Sequence, residues 1–220
     1  MQSKRGSFIV IEGLDRAGKS SQLELLLNTL SELKIKTTCL HFPDRTTHCG
    51  QLINKYLRQE IHLTDWEIHQ LFAQNRREKE QEIKTLLLSG TNVICSRYAF
   101  SGVAYSAAKG LDFYKCVQAD AGVLAPDLVV FLSANPDVLA KRAGFGDERY
   151  EDRQFQRGVK NAFDQVATIV KAEGIPWTNI DATLELSVIA DAIQDIVLKT
   201  IENVTQQNPL LRTMFNSYIS

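Results

Sequence analysis

The chain of 220 residues has no run of about 18 apolar residues, which excludes a membrane-spanning helix. It has no surplus of one charge either, since 25 Lys and Arg against 26 Asp and Glu leave a formal net charge of −1. Broad nucleic-acid binding and attraction to an anionic membrane both need a clustered positive field, so neither partner is expected. Cysteine is sparse, and Cys39, Cys49, Cys95 and Cys116 stand apart without C-x-x-C spacing, as reduced thiols do. The pairs Cys39/His41 and His48/Cys49 fit no common zinc spacing. The six residues ahead of the first strand are too few for a secretory or transit signal. A cytoplasmic location is therefore expected, with a nuclear or mitochondrial pool left open. No internal repeat or low-complexity tract is present, and the length suits one well-filled domain rather than two.

Against these absences stands Gly13-Leu14-Asp15-Arg16-Ala17-Gly18-Lys19-Ser20, a complete G-x-x-x-x-G-K-[ST] string. Glycines let successive backbone N–H groups turn inward around phosphate oxygens; the lysine reaches the β/γ-phosphates, and the serine hydroxyl can ligate Mg²⁺. The apolar run from Ser7 to Glu12 reads as a buried strand entering the loop. Leu23, Leu26, Leu27, Leu30 and Leu33 then recur at helical spacing, giving the strand, loop and helix the motif requires.

Further strands are expected at residues 37–42, 92–96, 128–132 and 177–181, with helices at about residues 66–88 and 186–204. Short apolar strands alternating with helices predict an α/β fold: a parallel five-stranded sheet covered by helices on both faces, with ligands beyond the carboxyl ends of its strands. The expected organisation is a single phosphate-loop domain over residues 1–205, with a short lid at about residues 134–157. Residues 206–220 form a C-terminal tail that either packs back or stays mobile.

A phosphate loop alone does not fix a function. The guanine-reading N-K-x-D motif is absent, since the only Asn-Lys pair runs on as Tyr56-Leu57. Four further motifs narrow the choice: Phe42-Pro43-Asp44-Arg45, Leu71-Phe72-Ala73-Gln74-Asn75-Arg76, Arg97-Tyr98-Ala99-Phe100-Ser101-Gly102 and Glu148-Arg149-Tyr150-Glu151. In order and approximate spacing they resemble the thymidylate kinases, and the arginine inside the phosphate loop looks like the eukaryotic and poxviral branch. The resemblance covers roughly residues 6–195. It implies a nucleoside monophosphate kinase that moves the γ-phosphoryl of ATP to dTMP with Mg²⁺, and it implies a homodimer.

The resemblance also assigns roles. Gly13, Arg16, Ala17, Gly18, Lys19, Ser20 and Ser21 would hold ATP, with Arg142 against the adenine face. Asp15, Arg16, Lys19 and Arg97 would be the catalytic set, Asp15 accepting from the sugar 3′-hydroxyl and Arg16 lying over the bridging region. Arg45 and Arg97 would grip the acceptor phosphate, because a planar guanidinium binds phosphate through two parallel bonds. Phe72 and Arg76, four residues apart on one helix face, would offer thymine a stacking ring and a donor. Phe42, Phe100, Ser101, Gly102, Tyr105 and Tyr150 would complete the dTMP pocket, with Phe100 and Tyr105 shaping the sugar site. Arg142, Glu148 and Arg149 would act from the lid.

One position departs from the family. Ser96 precedes Arg97 where an aspartate facing Mg²⁺ and its waters is usual, so Mg²⁺ would rest on Ser20 and be held more weakly, or draw on Glu12, Asp15 or the nucleotide. Two competing readings stay open: a kinase of another pyrimidine monophosphate such as dUMP or UMP, which the methyl pocket around Phe72 would decide, and a nucleotide-binding protein whose catalysis Ser96 impairs.

Overall fold

The computed structural model describes residues 4–142, 150 and 152–219. Five strands, β1 (Phe8–Gly13), β2 (Thr37–His41), β3 (Asn92–Ser96), β4 (Leu128–Ser133) and β5 (Trp177–Asp181), form one parallel sheet in the order β2-β3-β1-β4-β5. Every residue of β1 and β3 is buried, so both of their faces are covered. That is why the two segments read as continuous apolar runs rather than alternating ones.

The helices are α1 (Lys19–Glu32), α2 (His48–Leu57), α3 (Asp65–Leu88), α4 (Ala99–Ala108), α5 (Phe113–Ala119), α6 (Pro136–Leu139), α7 (Arg153–Ala172) and α8 (Leu186–Gln207). α1 packs on α8, while α4 packs on α3, α5 and α7. Among the described residues, no helix is long and apolar enough to cross a membrane.

β3 and β5 fall where the sequence puts them, and the remaining predicted elements differ by one to three residues at an end. Two boundaries need correcting. The range expected for the lid ends inside α7, whose first turn is set by Asp152 accepting from the Phe155 N–H at 2.8 Å. Arg153 and Arg157 are therefore helical residues. The tail begins after α8, because Asn208 takes a left-handed conformation (φ 45°) that stops the helix.

Of the two behaviours open for the tail, it packs back. Met214 and Phe215 are fully buried in the main core, and Glu173 accepts from the Phe215 N–H. Arg5 ties both ends of the chain together. It pairs with Asp127 ahead of β4 through two bonds of 2.7 and 2.8 Å, and donates to the Pro209 carbonyl at 2.6 Å.

Candidate active site

The carboxyl ends of β1, β2 and β3 open into a cavity of about 1010 Å³. Gly13 ends β1, and Gly18 caps α1 with φ 91°, a conformation that costs glycine little and other residues much. Arg16 nevertheless takes φ 61° in the same loop. Lys19 lies folded over the loop, its Nζ donating to the carbonyls of Gly13 and Leu14 at 2.9 and 2.6 Å. Arg16, Gly18, Lys19, Ser20 and Ser21 line the cavity. Ala17 turns its methyl into the core, leaving only its backbone to the loop. The start of α1 adds the partial positive charge of a helix N-terminus.

Behind the loop, Arg97 closes a polar cluster. Its Nη2 donates to Asp15 Oδ1, and its Nη1 to Ser101 Oγ and the Tyr105 hydroxyl, both at 3.3 Å. Gln156 on α7 donates to the other Asp15 oxygen at 2.8 Å and to the Tyr150 carbonyl at 2.9 Å. Burial pushes the Asp15 carboxyl up, but the charges of Arg97 and Lys19 outweigh it and hold the group below the usual carboxylate range.

Glu12, fully buried, is raised by its desolvation. Its Oε1 accepts from the N–H groups of Tyr98 and Ser101, and its Oε2 from the Ser101 hydroxyl, so it anchors the start of α4. That occupation corrects the expectation that Glu12 could stand in for the missing aspartate as a metal ligand. Asp15 accepts from Arg97 and Gln156, one bond to each oxygen, but unlike Glu12 it lines the cavity.

At the far end of the cavity, α3 presents Phe72 and Arg76. The Arg76 guanidinium is buried and held by Asp120, with Nε and Nη2 each 2.7 Å from a carboxylate oxygen. It lies on the backbone of Gly102, where a Cβ would come within 2.6 Å of Nη2. Only glycine admits that approach. Beside Arg76 on α3, Asn75 fixes the loop after β2, accepting from the Asp44 N–H at 2.8 Å and donating to its carbonyl at 3.0 Å. Lys79 pairs with the Asp44 carboxylate at 2.7 Å. This clamp sets Phe42 and the exposed Arg45 on the cavity wall.

Phe100 is a correction. It is fully buried, with its ring edge-on to Trp177 at 5.5 Å and to Phe215 at 6.3 Å, and it belongs to the core rather than to the sugar site. Each helical residue turns about 100° from the last, so Ser101, Gly102 and Tyr105 face the cavity while Phe100 faces the sheet.

Arg142 bridges the phosphate loop and the turn after β5, donating to the carbonyls of Arg16 at 2.7 Å and Ala182 at 2.6 Å. Tyr150 lies against Tyr105 and stacks on Phe155, with Lys109 Nζ 4.8 Å from its ring. Glu148 and Arg149 lie outside the described residues. Ser96 ends β3 beside His41 of β2, and both line the cavity. The hydroxyls of Ser20 and Ser96 are hard oxygen donors, which suits an Mg²⁺ ion that arrives on nucleotide phosphates and keeps several waters. No cluster of three or more His, Cys, Asp or Glu able to hold a metal exists among the described residues.

Sequence reasoning missed Asp120, Gln156, Asn75 and Lys109. Their partners are distant in sequence, and Asp120 and Lys109 fall at the ends of α5 and α4, where a polar residue carries no signal of its own.

The thymidylate kinase family model matches residues 11–193. A thymidylate kinase of Dictyostelium discoideum is 42% identical over 194 residues, covering 88% of this chain and 85% of that one. The human thymidylate kinase is 37% identical over 210 residues, covering 94% and 97%. Among solved structures, a thymidylate kinase from Candida albicans superposes with a TM-score of 0.78 at 34% identity, covering 99% of this chain and all of that one.

Proposed function

The chain belongs to the thymidylate kinase family and transfers phosphate from ATP to dTMP, and from that premise we propose how its own residues carry the transfer. The observation that carries the reading is the single cavity in which the phosphate loop, the Asp15–Arg97 pair and the Phe72–Arg76 face meet.

The backbone N–H groups of residues 13–21 and Lys19 hold the ATP phosphates, and Arg142, already reaching from the loop to Ala182, flanks the adenine. At the other end Phe72 stacks on thymine, and Arg76 turns to O4 the nitrogen that Asp120 does not engage. Ser101, Gly102 and Tyr105 wall the nucleoside from α4, and Tyr150 covers it. Asp15, ionised and oriented by Gln156, accepts from the 3′-hydroxyl and so fixes the sugar. Arg97 and Arg45 draw the acceptor phosphate toward the loop. Phosphoryl transfer needs positioning and neutralisation of charge spread over the transferred oxygens. Arg16, which lines the cavity from the loop, supplies that charge at the junction of the two substrates.

Ser20 would hold the Mg²⁺ that arrives with ATP, and Ser96 would support its water shell; the bound ion would supply shielding of the triphosphate charge. The working enzyme is a cytoplasmic homodimer, a state supported by the family alone; light scattering on the purified protein would give twice the chain mass.

The test is ADP release with ATP, Mg²⁺ and dTMP, run beside dUMP, UMP, dCMP and dAMP. The reading expects the highest kcat/KM with dTMP. Binding of dTMP without turnover would replace it by a disabled site at Ser96.

A further inference from the structure

His69 lies one turn before Phe72 and two turns before Arg76 on α3, is fully buried, and has no role in the transfer described above. Its two ring nitrogens are both engaged. Nε2 is 3.2 Å from the Cys116 carbonyl, and Nδ1 is 2.8 Å from Ser106 Oγ. Ser106 in turn lines the cavity beside Arg76 and Gly102.

Which nitrogen carries the proton follows from the partners. A carbonyl oxygen can only accept, and Cys116 sits in the last turn of α5, where the Asp120 N–H goes to Val117 instead. The proton is therefore assigned to Nε2, facing the Cys116 carbonyl at 3.2 Å. Burial lowers the His69 pKa, outweighing the Asp120 carboxylate and the Cys116 and Gly102 carbonyls that raise it, and the Arg76 charge lowers it further, so the ring is neutral. A neutral imidazole protonated at Nε2 has a lone pair at Nδ1. The Ser106 hydroxyl then spends its one proton on Nδ1, and its oxygen turns only lone pairs to the cavity.

We infer that His69 is a positioning residue for base recognition: by fixing the Ser106 hydroxyl as an acceptor, it makes the pocket read an N–H at pyrimidine N3. Arg76 offers the complementary donor next to it. A donor beside an acceptor matches the O4 and N3–H of thymine or uracil. Cytosine presents the reverse pattern, an amino group and a bare N3, and meets donor against donor and lone pair against lone pair. The 4-oxo preference thus rests on a histidine set behind the wall of the pocket. Discrimination of the thymine methyl is a separate matter of shape.

The inference depends on the base lying between Phe72 and Arg76, and the experiment separates the two claims. Long-range ¹H–¹⁵N spectra of the folded protein report the tautomer directly; Nε2–H is expected, and an Nδ1–H ring would overturn the inference without any mutation. Kinetically, kcat/KM for dTMP and for dCMP is compared in wild type, His69→Gln and Ser106→Ala. His69→Gln keeps a donor toward Cys116 and frees the Ser106 proton to rotate. The dTMP:dCMP ratio should then fall by roughly tenfold, the scale of one hydrogen bond reversed, with the KM for ATP unchanged. Ser106→Ala should lower the ratio as well. A merely structural histidine would slow both substrates alike and leave the ratio intact, which would refute the inference. If Phe72→Ala leaves the KM for dTMP unchanged, the base is elsewhere and both claims fall; if it weakens dTMP while both ratios hold, only the role of His69 falls.

Discussion

Arg97 and Asp15 are joined across the floor of the cavity by a bond from Nη2 to Oδ1, and the arginine that makes it takes a left-handed backbone with φ 62°. A non-glycine residue in that region stores about 1–3 kcal/mol of strain and persists only where its surroundings over-determine it. Here they do. The Arg97 N–H donates to the Ile11 carbonyl at 3.0 Å, and the side chain is held by Ser101, Tyr105 and Asp15. The ends of β1 and β3 and the first turn of α4 thus converge on one guanidinium, where an acceptor phosphate would meet it.

The role proposed for Arg16 acts on the rate rather than on binding. Arg16→Gly relieves the positive φ and removes the charge. We expect kcat to fall by about 10³, as for other arginines that neutralise a transferred phosphoryl, with the KM for ATP changed less than about threefold. Steady-state kinetics over both substrates checks it, and weaker ATP binding at a normal kcat would contradict the assignment.

Asp120 is expected to matter for stability before it matters for chemistry. Its pair with Arg76 is almost wholly buried, with side-chain exposures of 0% and 2%. Asp120→Ala leaves a buried guanidinium unpaired, which costs about 3–5 kcal/mol. Chemical denaturation should show that loss, and the KM for dTMP should rise with it because Arg76 is no longer held on Gly102.

Ser96→Asp should tighten Mg²⁺. A carboxylate at the end of β3 adds one negative charge to a site lined by hydroxyls. The half-saturating Mg²⁺ concentration should drop by roughly tenfold, the equivalent of one moderate charge interaction. The KM for dTMP should hold steady. An unchanged Mg²⁺ profile would show that the ion depends on the nucleotide alone.

His69 gives the fold a pH dependence with a definite sign. Its folded pKa lies below the ordinary value of 6.5, so the unfolded chain binds the extra proton first as pH falls. Its contribution to stability is complete above about pH 6.5 and is lost as pH drops from there through the lowered folded value. The melting temperature of wild type should fall between pH 7 and 5.5, and His69→Gln should flatten that part of the decline.

What could be read from the sequence was local. The phosphate loop, β3, β5 and the Phe72–Arg76 face depend on residues within one element, where spacing alone fixes which side chains lie together. Asp120, Gln156 and Asn75 act on Arg76, Asp15 and Asp44 across separations of 31 to 141 residues, and no local pattern reports such contacts. Phe100 shows the opposite failure. It belongs to a contiguous motif, but the 100° step of a helix sends neighbouring members of a motif to different sides. α7 was hidden because its basic first turn suited a lid, although Val159, Phe163, Val166 and Val170 already trace a buried stripe.

The central claim is that this cavity joins the two nucleotides, with Arg97 on the acceptor phosphate. The most direct measurement is chromatographic separation of products from ATP, Mg²⁺ and dTMP, with wild type and Arg97→Ala side by side. The account expects dTDP and ADP in equal amounts from wild type, and a loss of dTDP of about 10²-fold or more in the variant. ADP formed without dTDP, or dTDP formed normally by Arg97→Ala, would contradict it.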